Sequence, residues 1–251
     1  MSERNINVTT AKALFENKRI IIVGNSVELM NHEYGEYIDS FDVVVRLGRA
    51  AEFRNPKNYK KYQVCLGKKF DVWSTGWMRS GLLTDRPEYF KDVKFFLMNR
   101  NSLNFELIAN GRIATEKFKV SFPAGKALNM FSYDEIRKFN KEFGIVSGDK
   151  SKPRLSNGII TIKFFCEKMY KYKSLNIIGF DFFKKSTDKL RGGIWPHHSW
   201  HRPIQNVEAE VHHHDNEVKI VNRFIERGLL TWDVISDLKK ENIVDSKYGD
   251  F

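Results

Sequence analysis

Residues 20–23 read Ile-Ile-Ile-Val and stop at Gly24. A β-branched run without polar alternation predicts a strand buried on both faces, as in a parallel sheet. Residues 27–38 then place apolar side chains at helical spacing, and residues 41–46 (FDVVVR) predict a second strand. Residues 50–69 are basic and polar, which predicts a loop. Residues 70–75, 93–98 and 118–122 predict three further strands, the last ended by Pro123. Residues 133–143 carry the pattern of a charged amphipathic helix, and residues 144–153 read as a linker or loop. Ser156 is suited to cap a helix running to about residue 170, and residues 175–180 (LNIIGF) predict another buried strand. From Asp215 onward Val218, Val221, Phe224 and Ile225 recur at helical spacing up to Gly228. The tail from residue 235 is helical or frayed. Strands alternating with helices predict an α/β fold, a Rossmann-like and mainly parallel sheet flanked by helices. One domain over residues 1–251 is the simplest division.

Composition narrows the class. The 251 residues are 41% hydrophobic and 29% charged, ordinary for a soluble globular chain and long enough for a sizeable core. No stretch is apolar for long enough to span a bilayer. The first residues, MSERNINVTTAKALFENKR, lack the apolar centre of a signal peptide. Cys65 and Cys166 have neither metal-ligand spacing nor a disulfide framework. These features predict a cytoplasmic protein with reduced thiols, in the host cytoplasm if the source is viral. The net charge of +11 suits a polyanion, an acidic membrane surface or a small anionic substrate. The basic residues form short clusters, such as KNYKK at 57–61 and KMYKYK at 168–173, and no long tail.

Three pieces could carry chemistry. Gly24-Asn25-Ser26 ends the first strand, where ligands of open α/β sheets bind, although a tight turn alone could also need the glycine. Ser156-Asn157-Gly158 opens a helix, and free amides at a helix start favour an anion; an ordinary capped helix has the same residues. The third piece is histidine-rich. Six of the seven histidines fall between 197 and 214, beside carboxylates, in a stretch too polar for core. A neutral His212, with Glu217 nearby, could take a proton from a hydroxyl. His197 and His198 follow Gly192-Gly193 and Trp195-Pro196, and an imidazolium there could neutralise a departing phosphate. The rival is a zinc site serving a hydrolase, but the chain has no His-Glu-x-x-His and no Asp-x-Asp.

Taken in this order, the pieces resemble the animal-type sialyltransferases of glycosyltransferase family 29. Residues 20–48, IIIVGNSVELMNHEYGEYIDSFDVVVRLG, look like that family's large motif. Residues 155–183 look like its small motif, and His212 to Glu217 like its very small motif. The resemblance implies a Rossmann-like fold of GT-A type and a metal-independent, inverting transfer from a CMP-activated sugar. That donor is a substrate, so no resident cofactor and no metal are expected. Gly24, Asn25, Ser26 and Arg46 would form the nucleotide side of the site. Ser156, Asn157 and Gly158 would meet the phosphate or ribose side. His212 would be the general base, Glu217 would orient it or its helix, and His197 or His198 would assist the leaving phosphate. The chain departs from the family at Arg46-Leu47-Gly48, where Arg-x-Asn is usual, and at Ser-Asn-Gly, where Ser-Thr-Gly or Ser-Ser-Gly is usual. His197-His198-Ser199-Trp200 matches the third motif loosely. The disulfide between the large and small motifs has no counterpart. These departures point to a cytosolic bacterial or viral relative. The charge favours hydroxymethylated DNA as acceptor, as in phage DNA glycosylation; a glycan or lipid-linked sugar is the alternative. A nucleic-acid-binding protein with decayed sites is a further, non-enzymatic reading. Oligomeric state is not set by any of these features.

Overall fold

Successive strand residues alternate between two buried apolar layers. In the computed structural model, strand β1 (Arg19–Val23) sends Ile20 and Ile22 into one layer and Ile21 and Val23 into the other. Strand β2 (Val43–Leu47) divides in the same way, Val43, Val45 and Leu47 against Val44. Because both faces are covered, the period-two signal disappears from the sequence and only a continuous apolar run is left. The structure describes residues 8–26, 29–30, 32–54, 59–76, 86–99, 127–143, 155–180 and 214–232.

The remaining strands are β3 (Val72–Gly76), β4 (Phe95–Asn99), β5 (Ala127–Asn129), β6 (Ser174–Ile178) and β7 (Thr231–Trp232). They form a seven-stranded sheet in the order β5-β4-β3-β2-β1-β6-β7, with every pairing parallel. The chain builds outward from β1 to β5, then returns to pair β6 with the free side of β1. The strand order therefore reverses between β1 and β6, which puts a ligand crevice outside their carboxyl ends.

Helices α1 (Val8–Phe15), α4 (Tyr133–Glu142), α5 (Asn157–Lys168) and α6 (His214–Glu226) bury side chains in the first layer. Helices α2 (Gly35–Asp39) and α3 (Tyr59–Leu66), with the 3-10 segments Gly48–Arg54 and Pro87–Phe90, cover the second. Helix α5 is buried at every position from Gly158 to Cys166, so it has no polar stripe. Its Lys163 lies with Nζ 3.8 Å from the Phe139 ring centroid and pairs with Glu167. Helix α4 opens with a reciprocal cap: Ser132 Oγ accepts from the Glu135 amide at 3.3 Å, and Glu135 Oε2 accepts from the Ser132 amide at 2.6 Å.

Several expectations are corrected. The segment expected as a loop over 50–69 contains α3, whose buried Tyr62, Cys65 and Leu66 follow helical spacing while Lys60 and Lys61 face outward. The helix expected over 27–38 is described only as Gly35–Asp39. Upstream of it, Leu29 is fully buried against Gly179, so its apolar spacing reflects burial rather than a continuous helix. The strand expected at 118–122, the linker at 144–153 and the tail from 235 lie outside the described residues. Strands β5 and β7 are too short to leave a periodic signal. Cys65 and Cys166 are free and buried in opposite layers; the sheet between them precludes a bridge, and burial pushes the Cys166 thiol up to about 12.

Phe165 is fully buried and meets Phe15 and Phe164 edge-on, with ring centroids 5.1 and 5.6 Å away. Phe165→Ala is expected to cost ~3–5 kcal/mol, read as a lower urea midpoint at unchanged slope. A loss under about 1 kcal/mol would mean that this layer is not close-packed.

Candidate functional site

The turn after β1 is held directly against the turn after β6. The Gly24 amide donates to Ile178 O at 2.8 Å, and the Ser26 amide donates to Gly179 O at 3.0 Å. A Cβ on Gly24 would lie 2.0 Å from Gly179 O, so only glycine permits this approach. Asn25 is half-buried and Ser26 buried. The first predicted piece thus lies at the reversal of strand order, on the carboxyl edge.

The second piece meets Glu217 there. Ser156 is the N-cap of α5, and its Oγ accepts from the Ile159 amide at 3.3 Å. The same hydroxyl donates to Glu217 Oε2 at 3.0 Å, while the Ser156 amide donates to Glu217 Oε1 at 2.6 Å. Glu217 is 1% exposed and lies in the first turn of α6. One carboxylate therefore joins the amino termini of two helices, where the partial positive charge of both favours an anion. A Cβ on Gly158 would lie 2.8 Å from the Phe180 ring, just past β6, and 3.4 Å from a methyl of Leu47 at the end of β2.

A polar ladder under the start of α5 has no sequence signature. Asn157 Nδ2 donates to Ser74 O at 3.2 Å, Ser74 Oγ and Thr161 Oγ1 are 2.7 Å apart, and Thr161 Oγ1 donates to Asn157 O at 2.7 Å. The Ser74 carbonyl can only accept, which fixes the amide orientation. Asn157 Oδ1 is left buried without a hydrogen-bond partner among the described residues. Ser74 and Thr161 were missed because a single Ser in a strand and a Thr in an apolar helix carry no spacing signal.

The model of glycosyltransferase family 29 (sialyltransferase) matches residues 7–229. The chain belongs to glycosyltransferase family 29. The solved structures it resembles include a mammalian sialyltransferase in complex with Gal-β1-3GalNAc-ortho-nitrophenol, at 21% identity, 91% of this chain, 74% of that chain and a TM-score of 0.52. A second mammalian sialyltransferase structure matches at 20% identity, 91% and 73% coverage and a TM-score of 0.52. The Campylobacter jejuni sialyltransferase CstII in complex with CMP-3FNeuAc matches at 16% identity, 85% and 80% coverage and a TM-score of 0.49. No curated protein matches the chain in sequence.

Within this family 29 glycosyltransferase, the structure gathers Gly24, Asn25, Ser26, Ser156, Asn157, Gly158 and Glu217 at one edge of the sheet. His212, His197 and His198 lie outside the described residues. Among the described residues there is no group of three side chains able to hold a metal. Arg46 is drawn into the fold. It is 1% exposed, donates through Nε to Lys69 O at 2.8 Å and through Nη2 to Leu66 O at 2.6 Å, and sits 4.3 Å from the Phe53 ring centroid. Burial lowers its pKa to about 9, with Asp39 opposing the shift, so it is charged at neutral pH. Two of its five N–H groups are thus committed to the turn before β3 rather than to the nucleotide side. Gly48, where the family's usual Asn is absent, has φ +52° and accepts from Trp73 Nε1 at 2.7 Å.

Gly24→Ala is expected to destabilise the family 29 fold by ~1–3 kcal/mol, because its methyl forces the β1 and β6 turns apart. Thermal unfolding with and without CMP checks this, and wild-type stability would contradict the close approach.

Proposed function

We propose that this glycosyltransferase moves a sugar from a CMP-activated donor to an acceptor hydroxyl, with inversion and without a metal ion. The observation that carries the reading is the meeting of the α5 and α6 amino termini at the reversal of strand order, joined by Glu217. We read the sheet as a GT-A-type variant, with donor and acceptor meeting at this one edge. Asn25 and Ser26 hold the nucleotide, and the α5 amides face the donor's anionic part. Asn157 Oδ1 is an acceptor and a phosphate oxygen cannot satisfy it. It suits a hydroxyl or amino donor, which favours the ribose side of the donor for Asn157.

His212 precedes α6 by two residues. In this reading its neutral imidazole removes the acceptor proton as the hydroxyl attacks the anomeric carbon. Glu217 acts through the helix, fixing the first turn of α6 to Ser156. An imidazolium at His197 or His198 balances the charge that develops on the departing CMP phosphate. A single displacement of this kind inverts the anomeric centre. The acceptor is a sugar hydroxyl in this reading, by likeness to the mammalian sialyltransferase bound to a Gal-β1-3GalNAc derivative. Hydroxymethylated DNA, expected from charge, has no specific support in the described geometry.

Thermal shift with CMP, UDP, GDP and ADP, each with and without EDTA, tests the donor class. CMP at about 100 times its Kd should stabilise the protein by ~2.7 kcal/mol, selectively and in EDTA. Stabilisation by another nucleotide would break the CMP assignment, and loss of stability in EDTA would revive the zinc-hydrolase reading. For the base, His212→Ala should lose ~10²–10⁴-fold in turnover while CMP binding is kept. Near-normal turnover in that variant would refute the role of His212.

A further inference from the structure

The described lysines concentrate at the edge of the sheet opposite the site. Parallel strands all enter from one edge, and the turns leading into them there are basic. Lys18 and Arg19 precede or open β1, Lys68 and Lys69 precede β3, Lys94 precedes β4, and Lys171 and Lys173 precede β6. Backbone bonds tie these turns into one continuous rim: the Lys173 amide donates to Lys18 O at 2.9 Å, Asn17 to Lys171 O at 2.9 Å, and Asp42 to Arg19 O at 3.0 Å. The same row continues through Lys94, whose amide donates to Asp71 O at 2.8 Å.

Carboxylates neutralise only part of this rim. Asp71 pairs with Lys94 at 2.8 Å, Glu16 with Lys171 at 3.5 Å, and Asp42 with Arg19 at 3.7 Å. The Arg19 amide, and then the charges of Arg19, Lys18 and Lys69, hold the Asp42 carboxyl below its usual range. Asp39 is engaged by the Lys68 and Lys69 amides. Lys18, Lys68 and Lys173 are exposed, and none of them forms an ion pair with a carboxylate among the described residues.

Two of the large hydrophobic side chains exposed among the described residues stand at this same end. Leu14, in the last turn of α1, is 48% exposed, and Tyr170, just past α5, is 57% exposed. Lys12 Nζ lies 4.8 Å from the Tyr170 ring centroid, and the Phe15 ring, next to Leu14, is anchored on Phe95 at the start of β4, 5.9 Å away. An aliphatic and an aromatic side chain set among lysines match the boundary of an anionic bilayer, where tyrosine lies at headgroup level and lysine at the charged surface. A nucleic-acid backbone would use the lysines but has no contact for Leu14. Among the described residues no helix is long and apolar enough to cross a membrane, which leaves surface docking.

We infer that the amino edge of the sheet, through Lys18, Lys68, Lys171 and Lys173 with Leu14 and Tyr170, docks this enzyme on an anionic lipid surface. Strands of five residues span about 17 Å, so docking leaves the carboxyl edge open to the aqueous phase. Only that orientation rests on the proposed site; the docking itself is independent of donor and acceptor.

The test is co-flotation of the full chain with phosphatidylcholine vesicles, alone or with roughly a third phosphatidylserine. Binding is expected only with phosphatidylserine and should fall as salt rises. Each lysine contributes on the order of fivefold to partitioning, so Lys18→Glu with Lys173→Glu should cut it more than tenfold. Leu14→Ser with Tyr170→Ser should weaken the binding that persists at higher salt. Unchanged melting and CMP binding in these variants separate a docking defect from misfolding; Lys18→Gln with Lys173→Gln is the milder pair if the first unfolds. Equal flotation with both vesicle types, or equal binding by the charge-reversal pair, would overturn the proposal. So would loss of duplex-DNA binding in that pair by a chain that never floats with vesicles, which would assign the rim to nucleic acid.

Discussion

One buried carboxylate organises the carboxyl edge of this fold. Glu217 accepts from both the amide and the hydroxyl of Ser156, and Ser156 in turn caps α5. A hydroxyl has one proton and two lone pairs, and this one uses its proton on Glu217 and a lone pair on Ile159. Two helix amino termini would otherwise present like partial charges to each other. The carboxylate between them turns that repulsion into attraction. Because helix positions are rigid once packed, the single contact fixes where the chain enters α6.

The rest of the site follows from close packing around that contact. Gly24 lets the β1 turn lie on the β6 turn, and Gly158 lets α5 approach Phe180. Asn157 reaches from α5 to Ser74 in the middle of β3. The reversal of strand order places Gly24 to Ser26, Ser156 to Gly158 and Glu217 along a single edge. Arg46 belongs to a different support. With Asp39 it grips the turn at 66–69 from both sides, carbonyls on Arg46 and amides on Asp39, and so sets the entry to β3.

Much of this was legible in the residues. The run 20–23, the N-cap at Ser156 and the helical spacing from Val218 to Ile225 each had one physical reading, and the structure has those elements. What misled was composition standing in for spacing. KNYKKYQVCLG reads as a basic loop until Tyr62, Cys65 and Leu66 are placed on one face of α3. Arg46 entered the nucleotide side only through the resemblance of residues 20–48, and no local pattern shows that it is buried with two backbone carbonyls accepting from it. The ladder from Ser74 to Thr161 depends on residues 87 positions apart and is invisible to any local pattern. The resemblance gave Glu217 the task of orienting His212 or its helix, and nothing in the residues pointed to Ser156 as its partner.

The basic charge has a location as well as a size. Among the described residues it gathers where strands enter the sheet, while the motifs gather where strands leave it. Because the basic edge and the edge that carries the motifs are opposite ends of the sheet, a substitution at one need not disturb the other. The central claim, however, rests on the Glu217 contact, and a double-mutant cycle measures it most directly. Ser156→Ala, Glu217→Gln and the double variant would be unfolded in urea at neutral pH. The account predicts a coupling of about 1.5–3 kcal/mol between the two side chains, the range for a hydrogen bond to a charged group. Additivity within about 0.3–0.5 kcal/mol would mean that the helices meet for other reasons, and would contradict it.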